Sequence, residues 1–249
     1  MILRVATLNQ EQNLKRWEDR RELIAAQLKD LQPDIWALNE IHVPSRTGRW
    51  LQKAAATATG TQYALLQQSK VGEDSRIQAE ALLTRFPVLD TANLDYQSYD
   101  CVALVARFAI EGVLLDVYVT HLIAAHVDDA ARQYQAAELL KWMRTRDDAD
   151  CSVVCGDFNA APDQPSIGIM SVAYRCTQTQ PTAFTPLKES GGAPAHPEWE
   201  RFDRCIDYIW ISQSIKVKAT GLCFNTPASH DPHLWPSDHV GVWADLEIG

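Results

Sequence analysis

The chain has 249 residues, a length typical of one large α/β or all-β domain. Hydrophobic residues make up 46% of it and no 18 apolar residues run together, which excludes a mainly disordered or membrane-spanning chain. The net charge of −9 repels phosphate backbones and anionic lipid surfaces. We therefore expect one domain over residues 1–249, no membrane partner, and nucleic acid as a partner only through a local basic groove.

Cysteine usage and the start of the chain bear on the cell compartment. Six cysteines are scattered along the sequence without any C-x-x-C spacing, and we interpret them as buried thiols rather than disulfides or zinc ligands. The first nine residues lack the basic segment and apolar segment of a secretion signal. These features favour a cytoplasmic protein and leave its oligomeric state open.

Strands alternate with helices in the first hundred residues. A strand is predicted from Ile2 to Leu8. A helix is predicted from Lys15 to Leu31, because apolar residues recur there at helical spacing and Pro33 follows. The next predicted elements are a strand from Asp34 to Leu38, a helix around Leu51 to Ala58, and strands near Tyr63 to Leu66 and Ala79 to Leu83.

The second part of the chain adds antiparallel strands to this α/β pattern. Two apolar runs, Cys101 to Ile110 and Val113 to Thr120, flank Glu111-Gly112 and predict a hairpin. Residues 176–203 carry four prolines and a pair of glycines, and we predict that they are irregular. The other predicted elements are a helix from Asp128 to Arg146 and strands at Ser152 to Cys155, Ile206 to Ile211, Lys216 to Phe224 and Val240 to Leu246.

Polar residues follow these predicted strands within a residue or two. They are Asn9, Glu40, His121, Asp157, Asn159, Asp207, Asp238 and His239. Each of them alone fits a turn, a helix cap or a solvated position. Together they offer carboxylates and an amide oxygen, which suit Mg²⁺ or Mn²⁺, and imidazoles that can hydrogen-bond a phosphoryl oxygen. Because open α/β sheets bind ligands at strand ends, the set indicates phosphoryl transfer at one crevice.

Seven ordered blocks of sequence carry a resemblance to a known family. They are Ala6-Thr7-Leu8-Asn9, Pro33 to Glu40, Ala81 to Pro87, Val119-Thr120-His121-Leu122, Gly156-Asp157-Phe158-Asn159, Ile206-Asp207-Tyr208-Ile209 and Ser237-Asp238-His239. In this order and spacing the chain resembles the endonuclease/exonuclease/phosphatase superfamily. That superfamily includes DNase I-like nucleases, neutral sphingomyelinases, inositol polyphosphate phosphatases, deadenylases and tyrosyl-DNA phosphodiesterases. One four-residue block would be weak evidence, whereas seven in order are specific.

The resemblance implies both a fold and a reaction. The fold is a four-layered α/β sandwich, in which two packed mixed β-sheets are flanked by helices on both outer surfaces. The reaction is hydrolysis of a phosphoric ester bond by in-line attack of water, with Mg²⁺ or Mn²⁺ as the cofactor. The metal ligands that it implies are Glu40, Asn9 and Asp238.

The resemblance also implies roles for the remaining residues. Asp157 would orient and deprotonate the attacking water. Asn159 and His121 would contact the non-bridging phosphoryl oxygens. His239, oriented by Asp207, would stabilise the charge that develops on those oxygens.

One residue departs from the family pattern. Glu80, in Gln78-Ala79-Glu80, stands where the family usually carries the asparagine of a Gly-Asn pair. Glu80 either faces the site, where it would repel an anionic substrate, or points outward from its strand. A smaller departure is Asn39, which precedes Glu40 where glutamine is common.

The natural substrate is less defined than the reaction. We expect a phosphodiester or phosphomonoester of modest size. The alternatives are an endo- or exonuclease on single-stranded or damaged nucleic acid and, in another class, a catalytically silent binding module. Several loop residues would either contact a substrate ring or pin their loops to the domain: Phe184, Trp199, Phe202, His230, His233 and Trp235.

Overall fold

The computed structural model describes residues 1–124, 126–185 and 201–249. The strands are β1 (Ile2–Asn9), β2 (Ile35–His42), β3 (Ala64–Ser69), β4 (Gln78–Thr84), β5 (Asp90–Asp95), β6 (Val102–Ile110), β7 (Val113–His121), β8 (Cys151–Asp157), β9 (Arg175–Cys176), β10 (Ala183–Thr185), β11 (Arg201–Arg204), β12 (Asp207–Ile211), β13 (Lys216–Cys223) and β14 (Gly241–Glu247). The helices are α1 (Trp17–Leu31), α2 (Thr47–Thr59), α3 (Asp129–Arg144) and α4 (Pro165–Ser171), with a 3₁₀ turn at Gly72–Arg76.

Twelve of these strands form two six-stranded sheets. The first sheet has the order β13-β14-β1-β2-β4-β3, and the second has the order β5-β6-β7-β8-β12-β9. In each sheet one pair is parallel, β1 with β2 and β7 with β8, and the other pairs are antiparallel. Both sheets are therefore mixed. The remaining strands, β10 and β11, pair only with each other in a small hairpin.

The two sheets pack face to face over one apolar core. Val5 and Leu82 of the first sheet belong to the same buried cluster as Val117 and Ile209 of the second. Helices α1 and α2 cover the outer face of the first sheet, and α3 and α4 cover the outer face of the second. The predicted four-layered sandwich is confirmed. No helix in the described part of the chain is long and apolar enough to cross a membrane.

The parallel pairs explain where the polar residues lie. Asn9 ends β1 beside Asn39 of β2, and His121 ends β7 beside Asp157 of β8. Parallel neighbours finish at the same edge of a sheet. The carboxyl ends of both pairs meet between the two sheets, as the Asn9–Asp157 hydrogen bond shows.

Several segments differ from the prediction. Strand β5 and helix α4 were not predicted, because both are short and most residues of β5 are exposed. Residues 176–203 are not irregular throughout, because β10 and β11 form a hairpin within them. These two strands have three and four residues, too few to show an alternating pattern.

Candidate active site

The residues predicted from the strand ends converge on one pocket of about 440 Å³. Six of the eight line it directly: Glu40, His121, Asp157, Asn159, Asp238 and His239. The other two, Asn9 and Asp207, are buried and hydrogen-bond to residues in this group. All eight predicted site residues therefore belong to one cluster.

Glu40 turns into the pocket at an irregularity of its strand. The register between β2 and β4 shifts between Leu38 and Ile41, and Glu40 has a φ of +60°. Its carboxylate accepts hydrogen bonds from Asn9 Nδ2 at 3.1 Å and from the Gln12 amide at 2.9 Å. Asn9 Nδ2 also donates to Asp157 Oδ2 at 3.1 Å. Asn9 thus holds two carboxylates of the site at once.

A third acid, Glu11, was missed by the sequence analysis. It lines the same pocket as Glu40 and Asp238 and is only 7% exposed. Its carboxylate pairs with the buried Arg20 guanidinium at 3.2 Å. Burial raises the pKa of Glu11 to about 8, with a further contribution from the Asp238 and Glu40 carboxylates and an opposing one from Arg20. Three acids therefore crowd one side of the pocket, and their mutual repulsion is incompletely offset.

His239 and Asp207 form a carboxylate–imidazole pair. His239 Nδ1 lies 2.8 Å from Asp207 Oδ2, and the amide of Asp207 donates to Thr182 Oγ1 at 3.1 Å. Burial lowers the pKa of His239, but Asp207 and Asp238 outweigh it and hold that pKa well above its usual value. A bridge between Ala183 of β10 and His239 shows that the small hairpin helps to place this imidazole.

Asp157 lies between the acid side and the imidazole side of the pocket. Its Oδ2 is 3.9 Å from His239 Nε2, and its Oδ1 accepts from the Asn159 amide at 2.8 Å. Burial, and then the neighbouring Asp207 carboxylate, raise the pKa of Asp157 to about 7. The preceding Gly156 has a φ of +138°, and a Cβ there would lie 1.9 Å from the Thr120 carbonyl. Only glycine permits this approach of β8 to β7.

Glu80 points inward rather than out to solvent, but it lies behind His121 and does not line the pocket. It is fully buried and accepts from Asn39 Nδ2 at 2.5 Å, and its other oxygen lies 3.8 Å from His121 Nδ1. Burial raises the pKa of Glu80 to about 7 against the opposing charge of Lys70. Asn39 also accepts from the Asp157 amide at 3.0 Å. Asn39 therefore links Glu80 to strand β8 beneath the pocket.

The ring of His121 faces the amide of Asn159. Asn159 Nδ2 lies 3.1 Å from His121 Nε2 and donates to the Leu122 carbonyl at 3.0 Å. Because an amide nitrogen only donates, Nε2 is the acceptor and the ring proton lies on Nδ1, toward Glu80. Burial, with the charges of Lys70 and His239, lowers the pKa of His121 well below its usual value. The pKa values of the two imidazoles of the site are thus shifted in opposite directions.

Two sets of side chains could hold a metal ion. One is the acid side, with Glu11, Glu40 and Asp238. The other is Asp157, Asp207 and His239, whose ligand atoms lie within 4.8 Å of one another. The second set already uses His239 Nδ1 in a hydrogen bond with Asp207. This hydrogen bond and the raised pKa of His239 both disfavour the imidazole as a metal ligand, which favours the acid side.

Part of the predicted set of loop residues is not described. Trp199 lies outside the described residues, as do the side chains of Phe184 and Phe202. Trp235 donates to the Pro232 carbonyl within its own loop at 3.1 Å.

Comparison with known proteins agrees with this geometry. The sequence model of the Endonuclease/Exonuclease/phosphatase family matches residues 7–239. No curated protein matches the sequence.

Solved structures show the same fold at low sequence identity. An endonuclease/exonuclease/phosphatase from Bacteroides vulgatus has 18% identity and a TM-score of 0.77, with 100% of both chains covered. D. rerio TDP2 complexed with a single-strand DNA product has 15% identity and a TM-score of 0.79, with 99% of both chains covered. A Bacteroides thetaiotaomicron mannosyl-6-phosphatase has 18% identity and a TM-score of 0.75, with 99% of this chain and 100% of that chain covered. Since the family match spans nearly the whole chain, the protein belongs to the endonuclease/exonuclease/phosphatase family.

Proposed function

We propose that this protein hydrolyses a phosphate ester by in-line attack of water, with Mg²⁺ or Mn²⁺ as its cofactor. The observation that carries the proposal is one pocket with acids on one side, the His239 imidazole held by Asp207 on the other, and Asp157 between them. A purely structural role would not require so many buried ionisable groups at one place, because burying each of them costs free energy.

The acid side fits a hard divalent cation. Oxygen donors from Glu40 and Asp238, with Glu11 beside them, are the ligand type that Mg²⁺ prefers. Burial and then the neighbouring Asp238 carboxylate raise the pKa of Glu11, and a bound cation would favour its ionised form against both. Asn9 would contribute to this site by holding Glu40 in place. The bound ion would polarise the phosphoryl group and stabilise the leaving oxygen.

Asp157 is the proposed general base. Its carboxylate is ionised above its pKa of about 7 and lies within the pocket, so it can accept a proton from water as the bond to phosphorus forms. The hydrogen bonds from Asn9 and from the Asn159 amide fix the direction of the two oxygens. The base is therefore preorganised rather than mobile.

His239 is the proposed stabiliser of charge on the phosphoryl group. Asp207 engages Nδ1, which leaves the Nε2 hydrogen directed to the pocket. In the present arrangement Asn159 Nδ2 is engaged by Leu122 and His121. It would therefore reach a phosphoryl oxygen only by exchanging one of these bonds. We assign His121 to the orientation of that amide.

A metal-supplemented substrate screen tests the proposed function. Wild type and Glu40→Ala are compared on bis-aryl and mono-aryl phosphates, nucleotides, oligonucleotides and phospholipid headgroups, with Mg²⁺ or Mn²⁺ added. We expect wild type to hydrolyse at least one class and Glu40→Ala to lose about 10²-fold or more of that rate. Equal rates in the two proteins, or no hydrolysis by either, would refute the proposal.

A second candidate function, a nuclease acting on a single strand, is favoured by a groove beside α2. This groove has a volume of about 820 Å³ and is lined by Arg46, Arg49, Lys53 and Trp50. Helix α2 contains no acidic residue, and none of these three cations forms an ion pair within the described part of the chain. The lining residue Val43 follows Glu40 by three residues, about 10 Å along a strand.

Neutralising the groove tests whether it holds a nucleic-acid strand. We expect the triple variant Arg46→Gln, Arg49→Gln, Lys53→Gln to weaken binding of a labelled single-stranded oligonucleotide at least about tenfold in chelator. The slope of log K against log salt should fall by about 2, since each lost phosphate contact contributes about 0.7. Fluorescence anisotropy at several salt concentrations measures both.

The matched control neutralises three other surface cations. Lys141, Lys216 and Lys218 are exposed and pair with Glu138 or Glu247, away from the groove. Their replacement by Gln changes the net charge by the same amount. If the control weakens binding as much as the groove variant does, the effect reflects overall charge and the nuclease alternative loses its support.

A further inference from the structure

One exposed aromatic side chain stands at the mouth of the active-site pocket. Eight large hydrophobic side chains are exposed in the described part of the chain, and of these only Tyr99 lines this pocket. Its exposed fraction is 58%. Lys70, Asp74 and Gln78 line the same pocket as Tyr99. Burial of this ring therefore contributes little to the stability of the fold, and the ring is accessible to a bound substrate.

The turn that carries Tyr99 is strained but firmly held. Gln97, Tyr99 and Asp100 all have a φ between +53° and +58°, a conformation that costs energy for residues other than glycine. The Gln97 amide donates to Asp95 Oδ1 at 2.7 Å, and the Cys101 amide donates to the Ser98 carbonyl at 3.2 Å. These bonds fix the turn against relaxation.

Two neighbouring elements brace the same turn. Gln135 of α3 donates from Nε2 to the Ser98 carbonyl at 3.0 Å. On the other side, the Glu73 amide donates to Asp100 Oδ2 at 3.0 Å. Gly72 has a φ of +59°, and a Cβ there would lie 2.3 Å from the Asp100 carboxylate oxygens. The turn and the 3₁₀ segment therefore pack closely, and only glycine at position 72 leaves room for the Asp100 carboxylate.

We propose that Tyr99 is a stacking platform for a planar ring carried on the substrate phosphate. The ring is an aryl group or a nucleobase, since both present a flat apolar face of the size of a phenol ring. Because the turn is braced, an aromatic side chain at this position loses little backbone entropy when a ring covers it. The inference rests on the proposed function, because it assumes that the phosphate lies between Asp157 and His239.

The experiment measures selectivity for a ring rather than overall rate. The kcat/KM of p-nitrophenyl phosphate is divided by that of methyl phosphate, each with Mg²⁺ or Mn²⁺. We expect Tyr99→Ala to lower this ratio at least about tenfold and Tyr99→Phe, which keeps the ring, to retain it. Tyr134→Ala is the matched control, because Tyr134 is 48% exposed on α3 and does not line the pocket. A ratio unchanged in Tyr99→Ala would overturn the inference.

A dinucleotide distinguishes the two sources of the ring. If the ring is a nucleobase, Tyr99→Ala lowers kcat/KM for the dinucleotide more than for p-nitrophenyl phosphate; the reverse order identifies an aryl ester. Gly72→Ala adds a test of position, since it displaces Asp100 while Tyr99 remains. We expect it to lower the ratio in the same direction, and a ratio equal to that of wild type would contradict the proposed bracing.

Failure of the proposed function is separable from failure of this inference. If wild type hydrolyses no ester of the substrate screen, the proposed function fails. Ring binding is then measured by calorimetry, with p-nitrophenyl phosphate and methyl phosphate as the ligands. Tighter binding of the ring-bearing ester, lost in Tyr99→Ala, supports the platform. Equal affinity of the two esters overturns it.

Discussion

Replacing Asp157 with Asn lowers kcat about 10²- to 10³-fold and leaves the fold intact. The amide cannot accept the proton of the attacking water, and the loss of one preorganised polar group at a reacting centre typically has this magnitude. Asn keeps the size of the side chain and an oxygen to accept from the Asn159 amide. Steady-state kinetics on the ester identified by the screen, with circular dichroism as the fold check, measures the effect.

The same variant is expected to gain stability at alkaline pH. The pKa of Asp157 is about 7 in the folded chain and about 3.9 in an unfolded one, so the folded state binds more protons between these values. Stability contributed by this group therefore falls as the pH rises from about 4 to about 7, and the penalty is complete above 7. Without metal, Asp157→Asn should melt at a higher temperature than wild type at pH 8 and not at pH 4.

A buried aspartate outside the site provides the control. Asp116 lies on β7, is fully buried, and pairs with Arg107 at 2.7 Å and Arg146 at 2.9 Å. Asp116→Asn should lower the melting temperature, because two half-buried arginines each lose one of their two carboxylate partners, and should leave kcat near the wild-type value. The opposite pattern in either variant, with full turnover in Asp157→Asn or lost turnover in Asp116→Asn, would contradict the assignment.

The layered fold was predictable because its strands are apolar and bounded by clear breaks. The β6–β7 hairpin follows from Glu111-Gly112 between two long apolar runs, and Glu111 and Gly112 indeed have positive φ. The convergence of the eight candidate site residues was predictable for a related reason. Asn9, His121 and Asp157 end their strands, and the parallel pairs β1–β2 and β7–β8 bring those ends to one edge. Asp207 instead begins β12, and Asp238 and His239 precede β14; the antiparallel pairing of these strands with β8 and β1 brings their starts to the same edge.

Other features depend on contacts that local sequence does not encode. All seven residues of β4 are buried, so no alternation reveals which face Glu80 occupies. Glu11 joins the acid side because its backbone turns at a φ of +59° and Arg20 returns from α1 to pair with it. Tyr99 was missed since its loop has no motif, and its importance arises from the bracing by Gly72 and Gln135.

Adding Mg²⁺ or Mn²⁺ raises the melting temperature, and chelation abolishes turnover. At a metal concentration of about 100 Kd, binding to the folded state contributes about 2.7 kcal/mol, which corresponds to a shift of about 5 to 10 °C for a domain of this size. The physical reason is the crowding of Glu11, Glu40 and Asp238, whose repulsion a cation relieves. Thermal melts with each metal and with EDTA measure the shift without reference to any substrate.

Two conservative variants locate the ion. If it lies on the acid side, Glu40→Gln loses most of the metal-dependent shift, because the amide keeps the size of the side chain but not its charge. Asp207→Asn should retain the shift, since Asp207 engages His239 and not the ion. Loss of the shift in Asp207→Asn, with the shift kept in Glu40→Gln, would move the ion to Asp157, Asp207 and His239. His239 would then be a neutral ligand rather than a proton donor to the phosphoryl group, and the proposed division of the pocket would be reversed.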